Sequence, residues 1–356
     1  MESPNSEINN PGQFLELVNA FRISRIILSA AELKVFDYLD GEGKTSDQVA
    51  IILWTNPRAT DRLLNALVSI GLLQKEADHF SNTPFASKFL VTSSPAYMSG
   101  LALTNHTWRT WSTLTKAVKE GTSVHFEDPI NDRPEEWQEA FIAAMHRRAG
   151  PQAVEVADAL DLAGVKRVLD VGGGSGAFTM EFLNRNQEMT GVVFDLPKIV
   201  GITEKYLCDK GYAIRDTRKM MPDPGNRIPD RVSLIPDRIS VMAGDYLKDD
   251  FGSGFDLVFM SAIIHINSPA ENQLLIQKGA NALNPGGQLV ILDHIMSEDR
   301  TEPQVGAIFA INMLVGTKHG DTYTEDELRS WMLDAGLSDI SQVTTSSGVQ
   351  LIMGGK

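Results

Sequence analysis

VLDVGGGSGAF (Val168–Phe178) decides how this chain folds. An apolar strand ends at Asp170–Val171, Gly172, Gly174 and Gly176 follow, and a helix is predicted to start near Ala177. Glycines at such a turn let the backbone bend sharply and approach a ligand closely. Gly172-x-Gly174-x-x-Ala177 also satisfies the dinucleotide fingerprint as written. At this point a nicotinamide cofactor and some other nucleoside are both open.

Outward from the turn, short apolar runs bounded by Gly, Pro or Asp recur: KRVLDVGG, GVVFDLP, ISVMAGD, FDLVFMS and GGQLVILDH. Helical stretches separate most of them, which predicts βαβ units and a parallel sheet buried on both faces. The fold class is therefore α/β, with a doubly wound, mostly parallel sheet over 156–356. Between the second and third strands the polar, Pro-rich stretch RDTRKMMPDPGNR leads into a tandem repeat, with IPDR at Ile228–Arg231 and again at Ile235–Arg238. We read 214–238 as an inserted loop whose second copy feeds the strand ISVMAGD. Such a helix-to-strand loop lies at the N-terminal edge of the sheet, away from ligands at the carboxyl edge.

Ahead of the sheet, residues 1–100 read as helices followed by a wing. FLELVNAFRISRIILSAAELKVFDYL has apolar residues at helical spacing, with a break near Ala30–Glu32. Thr45 or Ser46 caps TSDQVAIIL. In NPRATDRLLNALVSIGLL, Pro57 opens a helix that carries Leu63, Leu64, Leu67 and Val68 on one side, and Gly71 lies near its end. LQKEADHFSNTPFASKFL then reads as a hairpin. This winged-helix pattern suits either DNA binding or a packing and dimerisation module. The presumed recognition helix has only Arg58 and Arg62, offset by Asp61. Residues 101–155 read as connecting helices, with Trp108, Trp111, Leu114 and Val118 in one stripe and Trp137, Phe141, Ile142 and Met145 in another. Such stripes are core packing by default, yet Trp108, Met145 or His146 could wall a pocket.

Composition narrows the function. The 356 residues carry a formal net charge of −14, which disfavours a nucleic-acid partner, since that binding rests on Lys and Arg neutralising phosphates. No run approaches the ~18 apolar residues of a membrane span, and the polar start MESPNSEINNPGQ lacks the order of a signal peptide. The single cysteine, Cys208, excludes an intrachain disulfide and a cysteine-based zinc site. A cytoplasmic protein without a membrane partner is expected. The seven histidines show no ligand spacing, so no metal is expected either.

Strand-end acids separate the two nucleosides. Asp170, just before the turn, would repel a pyrophosphate but suits an ammonium or sulfonium charge. Asp195 in FDLP lies where a ribose hydroxyl pair would be gripped. Asp245 ends the third strand and could accept from an adenine amino group, and Tyr246 could pack on its face. No Lys or Arg stands in the glycine turn. A single strand-end Asp is ordinarily a helix cap, but three in succession with the glycine turn favour S-adenosylmethionine over NAD.

With these residues together, the chain resembles class I S-adenosylmethionine-dependent methyltransferases. It is most similar to the small-molecule O-methyltransferases of plant caffeate and flavonoid metabolism and of bacterial natural-product biosynthesis. LDVGGGSGAF, FDLP, AGDYL, FDLVFMSAIIH and LNPGGQLVILD carry the resemblance, with the winged-helix front end. It implies a Rossmann-like catalytic domain, a front domain that makes a homodimer, and a small-molecule acceptor. The cofactor would be S-adenosyl-L-methionine and the product S-adenosyl-L-homocysteine. Implied cofactor contacts are Asp170, Gly172, Gly174, Gly176, Asp195, Leu196, Gly244, Asp245, Tyr246 and Ser261. His265 falls on the position of the general base, with Asp293 supporting it. Trp108, Met145, Asn312 and Met313 would shape the acceptor cavity. The acceptor would be a hydroxyl of an aromatic or polyketide-like molecule.

The chain also departs from the plant pattern. Ser261 stands where plant members have Lys, Ile266–Asn267 follow the histidine in place of Asp-Trp, and Thr322 replaces a second supporting acid. Thr322 and the Ile266–Asn267 pair keep carbon or nitrogen methylation, or a non-methylating use of the cofactor, as the second reading. A winged-helix regulator is the third. His294 is expected to alternate away from Asp293 if its strand continues, and His319 lies in a loop near the cleft.

Overall fold

The computed structural model describes residues 8–98, 100–124, 133–212, 214–216 and 238–356. They fall into two compact units, Met1–Arg109 and Thr110–Lys356.

In the first unit, α1 (Pro11–Asn19), α2 (Phe21–Glu32) and α3 (Val35–Tyr38) precede β1 (Lys44–Thr45), α4 (Ser46–Leu53) and α5 (Pro57–Ser69). The break between α2 and α3 falls at Lys34, whose φ is +56°. Thr45 caps α4 in a full capping box with Gln48. Asn56 caps α5, and the predicted apolar side of α5 buries Leu64 and Leu67. The hairpin β2 (Leu73–Glu76) and β3 (His79–Asn82) follows, and β1 adds to β3 to make a three-stranded sheet. The hairpin is shorter than the sequence suggested: Thr83 caps Ala86, Pro84 takes the first helical position, and α6 (Pro84–Phe89) forms instead of more wing. Then α7 (Gly100–Trp111) leads the chain out of this unit.

The second unit begins with α8 (Leu114–Glu120) and α9 (Glu135–Ala159). The predicted Trp108–Val118 stripe does not form one face. The helix breaks at Thr113, whose hydroxyl bonds the Thr110 carbonyl, a local bond that competes with the helical ladder. As a result Ala117 is buried while Val118 is 62% exposed.

The sheet uses β4 (Arg167–Val171), β5 (Thr190–Asp195), β6 (Ile214–Asp216), β7 (Ile239–Ala243), β8 (Phe255–Ser261) and β9 (Leu283–Leu292). Helices α10 (Ala177–Arg185), α11 (Pro197–Asp209) and α12 (Pro269–Ala282) connect them. A small parallel bridge of β10 (Ile295–Met296) with β11 (Tyr323–Thr324) flanks α13 (Gln304–Gly316). Then α14 (Glu325–Asp334), β12 (Ser338–Thr344) and β13 (Gln350–Gly355) end the chain. The strand order is β12-β13-β9-β8-β4-β5-β7-β6, with β4 to β9 all parallel and β13 antiparallel to both its neighbours. Val168, Val193 and Phe259 go to one face's core and Leu169, Phe194 and Met260 to the other's. The sheet is thus buried on both sides, as a parallel sheet must be.

Part of the expected insert is sheet: Ile214 pairs with Ile239 at the edge. The first IPDR copy and residues 235–237 of the second lie outside the described residues. Arg238, which closes the second copy, donates to the carbonyls of Leu183, Asn186 and Met189 at the end of α10. The Leu183 and Asn186 carbonyls are among those a helix end leaves without partners.

Candidate active site

Strand order reverses between β4 and β8, and in such sheets the crevice at the carboxyl edge of that switch point binds the ligand. Two loops meet there. Gly172, Gly174 and Gly176 after β4 have φ of +69°, +55° and +74°, which only glycine adopts cheaply. A Cβ on Gly172 would come within 2.6 Å of the Ile263 side chain in the loop after β8. Helix α9 lies against the same turn: Ile142 approaches Gly174, and His146 Nδ1 is 2.8 Å from Ser175 Oγ. The His146 ring also packs 4.6 Å from Tyr206. Burial, then the charges of Lys210 and Arg147, lower the His146 pKa. Met145 is half-buried beside it.

Asp170 is placed differently from the sequence expectation of a direct contact with a cationic ligand. It has no exposed surface and sits beneath Gly173, where a Cβ would meet its carboxyl at 2.7 Å. One oxygen accepts from Thr179 and the other has no partner among the described residues. Burial pushes its pKa up to about 7. Asp170 therefore acts on the turn from below and holds the start of α10.

Asp195 is half-buried at the end of β5, where it accepts the Gly174 N–H at 2.8 Å and the Leu196 N–H at 2.7 Å. Burial pushes its pKa up to about 6 against those two donors. Gly244 after β7 is packed on Phe194, leaving no room for a Cβ. Asp245 accepts from the Leu247 N–H and Lys248 Nζ. Burial opposes, but these donors hold its pKa below the usual carboxylate value. The Tyr246 hydroxyl reaches Asn267 Oδ1 at 3.0 Å, and burial lifts its pKa to about 12. Ser261 is half-buried at the end of β8, and Ala262 beside it has φ +54°, a strained conformation that clusters at functional sites.

These residues fit S-adenosylmethionine. The glycine turn leaves Gly174 open, with nothing nearer than 3.7 Å to an added Cβ. The Asp195 carboxylate has about four lone-pair sites, of which the backbone takes two, so a hydroxyl pair can be accepted. The turn itself, Gly172–Gly176, contains no Lys or Arg to receive a phosphate.

On the other side of the switch point, His265 sits in the one-turn helix Ile264–Ile266. Its Nδ1 lies 2.8 and 2.9 Å from the two oxygens of Asp293. Burial works against the Asp293 carboxylate, but His265 and the His294 N–H hold its pKa below the usual range. An ionised Asp293 can only accept, so Nδ1 carries the proton and Nε2 carries the lone pair. The main chain of His265 is held as well: the Asp321 N–H donates to the His265 carbonyl at 3.0 Å. Thr322 is buried, and its carbonyl accepts from Arg300.

His294 departs from its expected direction. The strand stops at Leu292, and the His294 ring packs 4.5 Å from Phe309, whose ring meets His265 edge-on at 4.9 Å. Burial lowers the His294 pKa. His319 is exposed. On α13, Asn312 Oδ1 accepts from Trp111 Nε1 at 2.9 Å, and Met313 is buried. Trp108 belongs to the first unit, where it packs on Phe21 and Arg25. Sequence reasoning missed Phe309, the Trp111–Asn312 bond and the role of Asn267. The only signal for Phe309 was its one-turn spacing from Asn312 and Met313.

The chain compares closely with known proteins along its length. Residues 15–92 match the O-methyltransferase dimerisation domain, and 111–217 with 227–338 match the O-methyltransferase domain. The 3-hydroxy-5-methyl-1-naphthoate 3-O-methyltransferase of Streptomyces sahachiroi is 27% identical over 95% of this chain and 92% of its own. The tetracenomycin polyketide synthesis 8-O-methyl transferase TcmO of Streptomyces glaucescens is 26% identical over 99% of each. The solved structure of PigF with SAH superposes with a TM-score of 0.83, at 21% identity, over 98% of this chain and 100% of that one. The chain belongs to the S-adenosylmethionine-dependent small-molecule O-methyltransferases.

Proposed function

We propose that this enzyme methylates a hydroxyl of an aromatic or polyketide-like small molecule, with His265 as the general base. The single observation that carries the reading is the His265–Asp293 pair. Both oxygens of a buried carboxylate face Nδ1, which leaves Nε2 to take a proton. The two Streptomyces relatives, named for a naphthoate and a tetracenomycin polyketide, support the acceptor class.

S-adenosylmethionine supplies an electrophilic methyl group. The chain's own residues do the rest. Asp195, Leu196, Gly244, Asp245 and Tyr246, with the glycine turn, would hold and orient the nucleoside, and Ser261 and Ala262 close the gap toward His265. A phenol is a poor nucleophile until its proton leaves, and a neutral imidazole accepts that proton near neutral pH. Asp293 steadies the imidazolium that forms. Phe309, edge-on to His265, restricts the ring and keeps water from one side of it. Met145, Trp111 and Asn312 are assigned to the acceptor wall. The dimerisation domain of the first unit is assigned to a homodimer.

His265→Ala tests the reading. Turnover of a hydroxylated naphthoate or polyketide acceptor is expected to fall by ~10²–10⁴-fold, with S-adenosylhomocysteine affinity retained in calorimetry. Unchanged kcat on an acceptor whose O-methyl product is verified by mass would remove His265 from the mechanism.

A further inference from the structure

Asn267 stands where plant relatives have an aromatic residue, directly after the turn that carries His265. It is 4% exposed and fully engaged. Its Nδ2 donates to the Ile263 carbonyl at 3.3 Å and to Asn272 Oδ1 at 3.1 Å. Asn272 in turn donates to the Ile264 carbonyl at 2.9 Å. The Asn267 carbonyl accepts the Tyr323 hydroxyl at 2.5 Å. Its remaining side-chain atom, Oδ1, accepts the Tyr246 hydroxyl at 3.0 Å.

The direction of this chain of bonds is fixed. The carbonyls of Ile263 and Ile264 can only accept, so both asparagine amides must point their NH2 groups at them. Asn267 Oδ1 is then forced to face Tyr246, and Tyr246 must donate. A tyrosine whose phenol is kept protonated by burial meets that demand. The turn itself is held at successive carbonyls: Ile263 by Asn267, Ile264 by Asn272, His265 by Asp321 and Asn267 by Tyr323. Tyr246 is the one member of the network that also belongs to the cofactor side. Networks of this kind polarise their members cooperatively, and a half-satisfied buried network is costly.

We propose that Asn267 is a positioning residue that ties Tyr246, at the adenine end of the cofactor site, to the turn carrying His265, so that filling the cofactor site fixes the base. The inference rests on the assignment of His265 proposed above. A ligand that packs on the Tyr246 ring selects one ring position. The hydroxyl transmits that choice to Asn267, and Asn267 transmits it to the Ile263 carbonyl directly and to the Ile264 carbonyl through Asn272, on the two residues that lead into His265.

The test follows the His265 imidazole by NMR while the full-length enzyme is titrated with S-adenosylhomocysteine, His265→Ala serving to assign the resonance. In the wild type the His265 Cε1–H signal is expected to move on saturation. In Tyr246→Phe, calorimetry should still reach saturation, but the shift of that signal should fall by at least half. At saturating substrates kcat should fall by roughly 3–10-fold, the scale of one lost hydrogen bond. Asn267→Ala should uncouple the signal in the same way. An equal shift in Tyr246→Phe and wild type at saturation overturns the proposal, whatever the fate of Asn267→Ala. Failure of the base assignment shows separately, as turnover retained in His265→Ala.

Discussion

The two halves of the site lie side by side at the carboxyl edge of one sheet and are built from different materials. The cofactor half, after β4, β5 and β7, is mostly backbone: three glycines at positive φ, an Asp195 that grips the Gly174 N–H, and a Gly244 pressed on Phe194. The base half, after β8 and β9, is a pair of side chains, His265 and Asp293, brought together from residues 28 apart. A backbone-built site fails when an atom is added. A side-chain pair fails when its chemistry changes at constant shape.

The largest effect should come from breaking the base half in that way. Asp293→Asn keeps the volume but can present an NH2 group to His265 Nδ1. Nδ1 then accepts, the proton moves to Nε2, and the base is lost to the wrong tautomer. We expect kcat to fall by ~10²–10⁴-fold with S-adenosylhomocysteine affinity nearly unchanged. Steady-state kinetics beside calorimetry measures both, and a matched loss in affinity would mean that the two halves are not separable. Asp293's pKa is depressed, so the stability it contributes is present at neutral pH and is lost only as pH falls through its lowered value. An acid limb of kcat near neutrality belongs elsewhere.

The cofactor half should break by addition. Gly172→Ala places a methyl 2.6 Å from Ile263 at φ +69°, whereas Gly174→Ala at φ +55° meets nothing closer than 3.7 Å. Strain alone costs about 1–3 kcal/mol at either position, and overpacking adds about 1–3 kcal/mol at Gly172. Thermal unfolding of the ligand-free enzyme should therefore rank Gly172→Ala below Gly174→Ala, at about 2–4 °C per kcal/mol. Equal Tm values would show that the Ile263 loop yields.

The same contrast explains what could be read from sequence. LDVGGGSG is contiguous, and glycine spacing at a strand end encodes its own turn, so the turn itself was legible at residue level. His265 and Asp293 were legible only as strand ends, because which atoms meet depends on two loops folding toward each other. His294 was misread because alternation holds only while a strand lasts, and the strand stops at Leu292. Asp170 was misread because the sequence places it at the turn but not beneath it. The edge strand β12 and its neighbour β13 went unread: β12 is mostly exposed and lacks a periodic apolar pattern. Trp108, Trp111, Leu114 and Val118 looked like one stripe, but the helix breaks at Thr113, between the two tryptophans and Leu114.

A smaller effect sharpens the cofactor half. Asp195 has its pKa raised to about 6 by burial. In the free enzyme, ionising it therefore costs stability as pH rises from the unfolded value toward 6. On the proposed assignment of Asp195 to the ribose hydroxyls, these would donate to the ionised form, so binding should strengthen over the same rise. S-adenosylhomocysteine affinity should weaken by about tenfold per pH unit at most as pH drops below 6. Asp195→Asn should bind more weakly throughout and flatten that slope. A slope that survives in Asp195→Asn would assign it to another group.

The smallest effect tests how far the base half extends. His294 shares Phe309 with His265, and its ring nitrogens make no hydrogen bond among the described residues. Burial keeps it neutral, so one ring nitrogen can donate and the other accept. Asp293 orients the His265 ring but takes only the backbone N–H of His294, so the His294 ring lacks the carboxylate that fits His265 for the base role. If the acceptor meets His294 through a second polar group, His294→Ala should raise the acceptor KM by roughly 3–10-fold, the worth of one hydrogen bond, and leave kcat within about threefold. A fall in kcat that tracks His265→Ala would instead make the two histidines one unit. An unchanged KM would remove His294 from acceptor recognition.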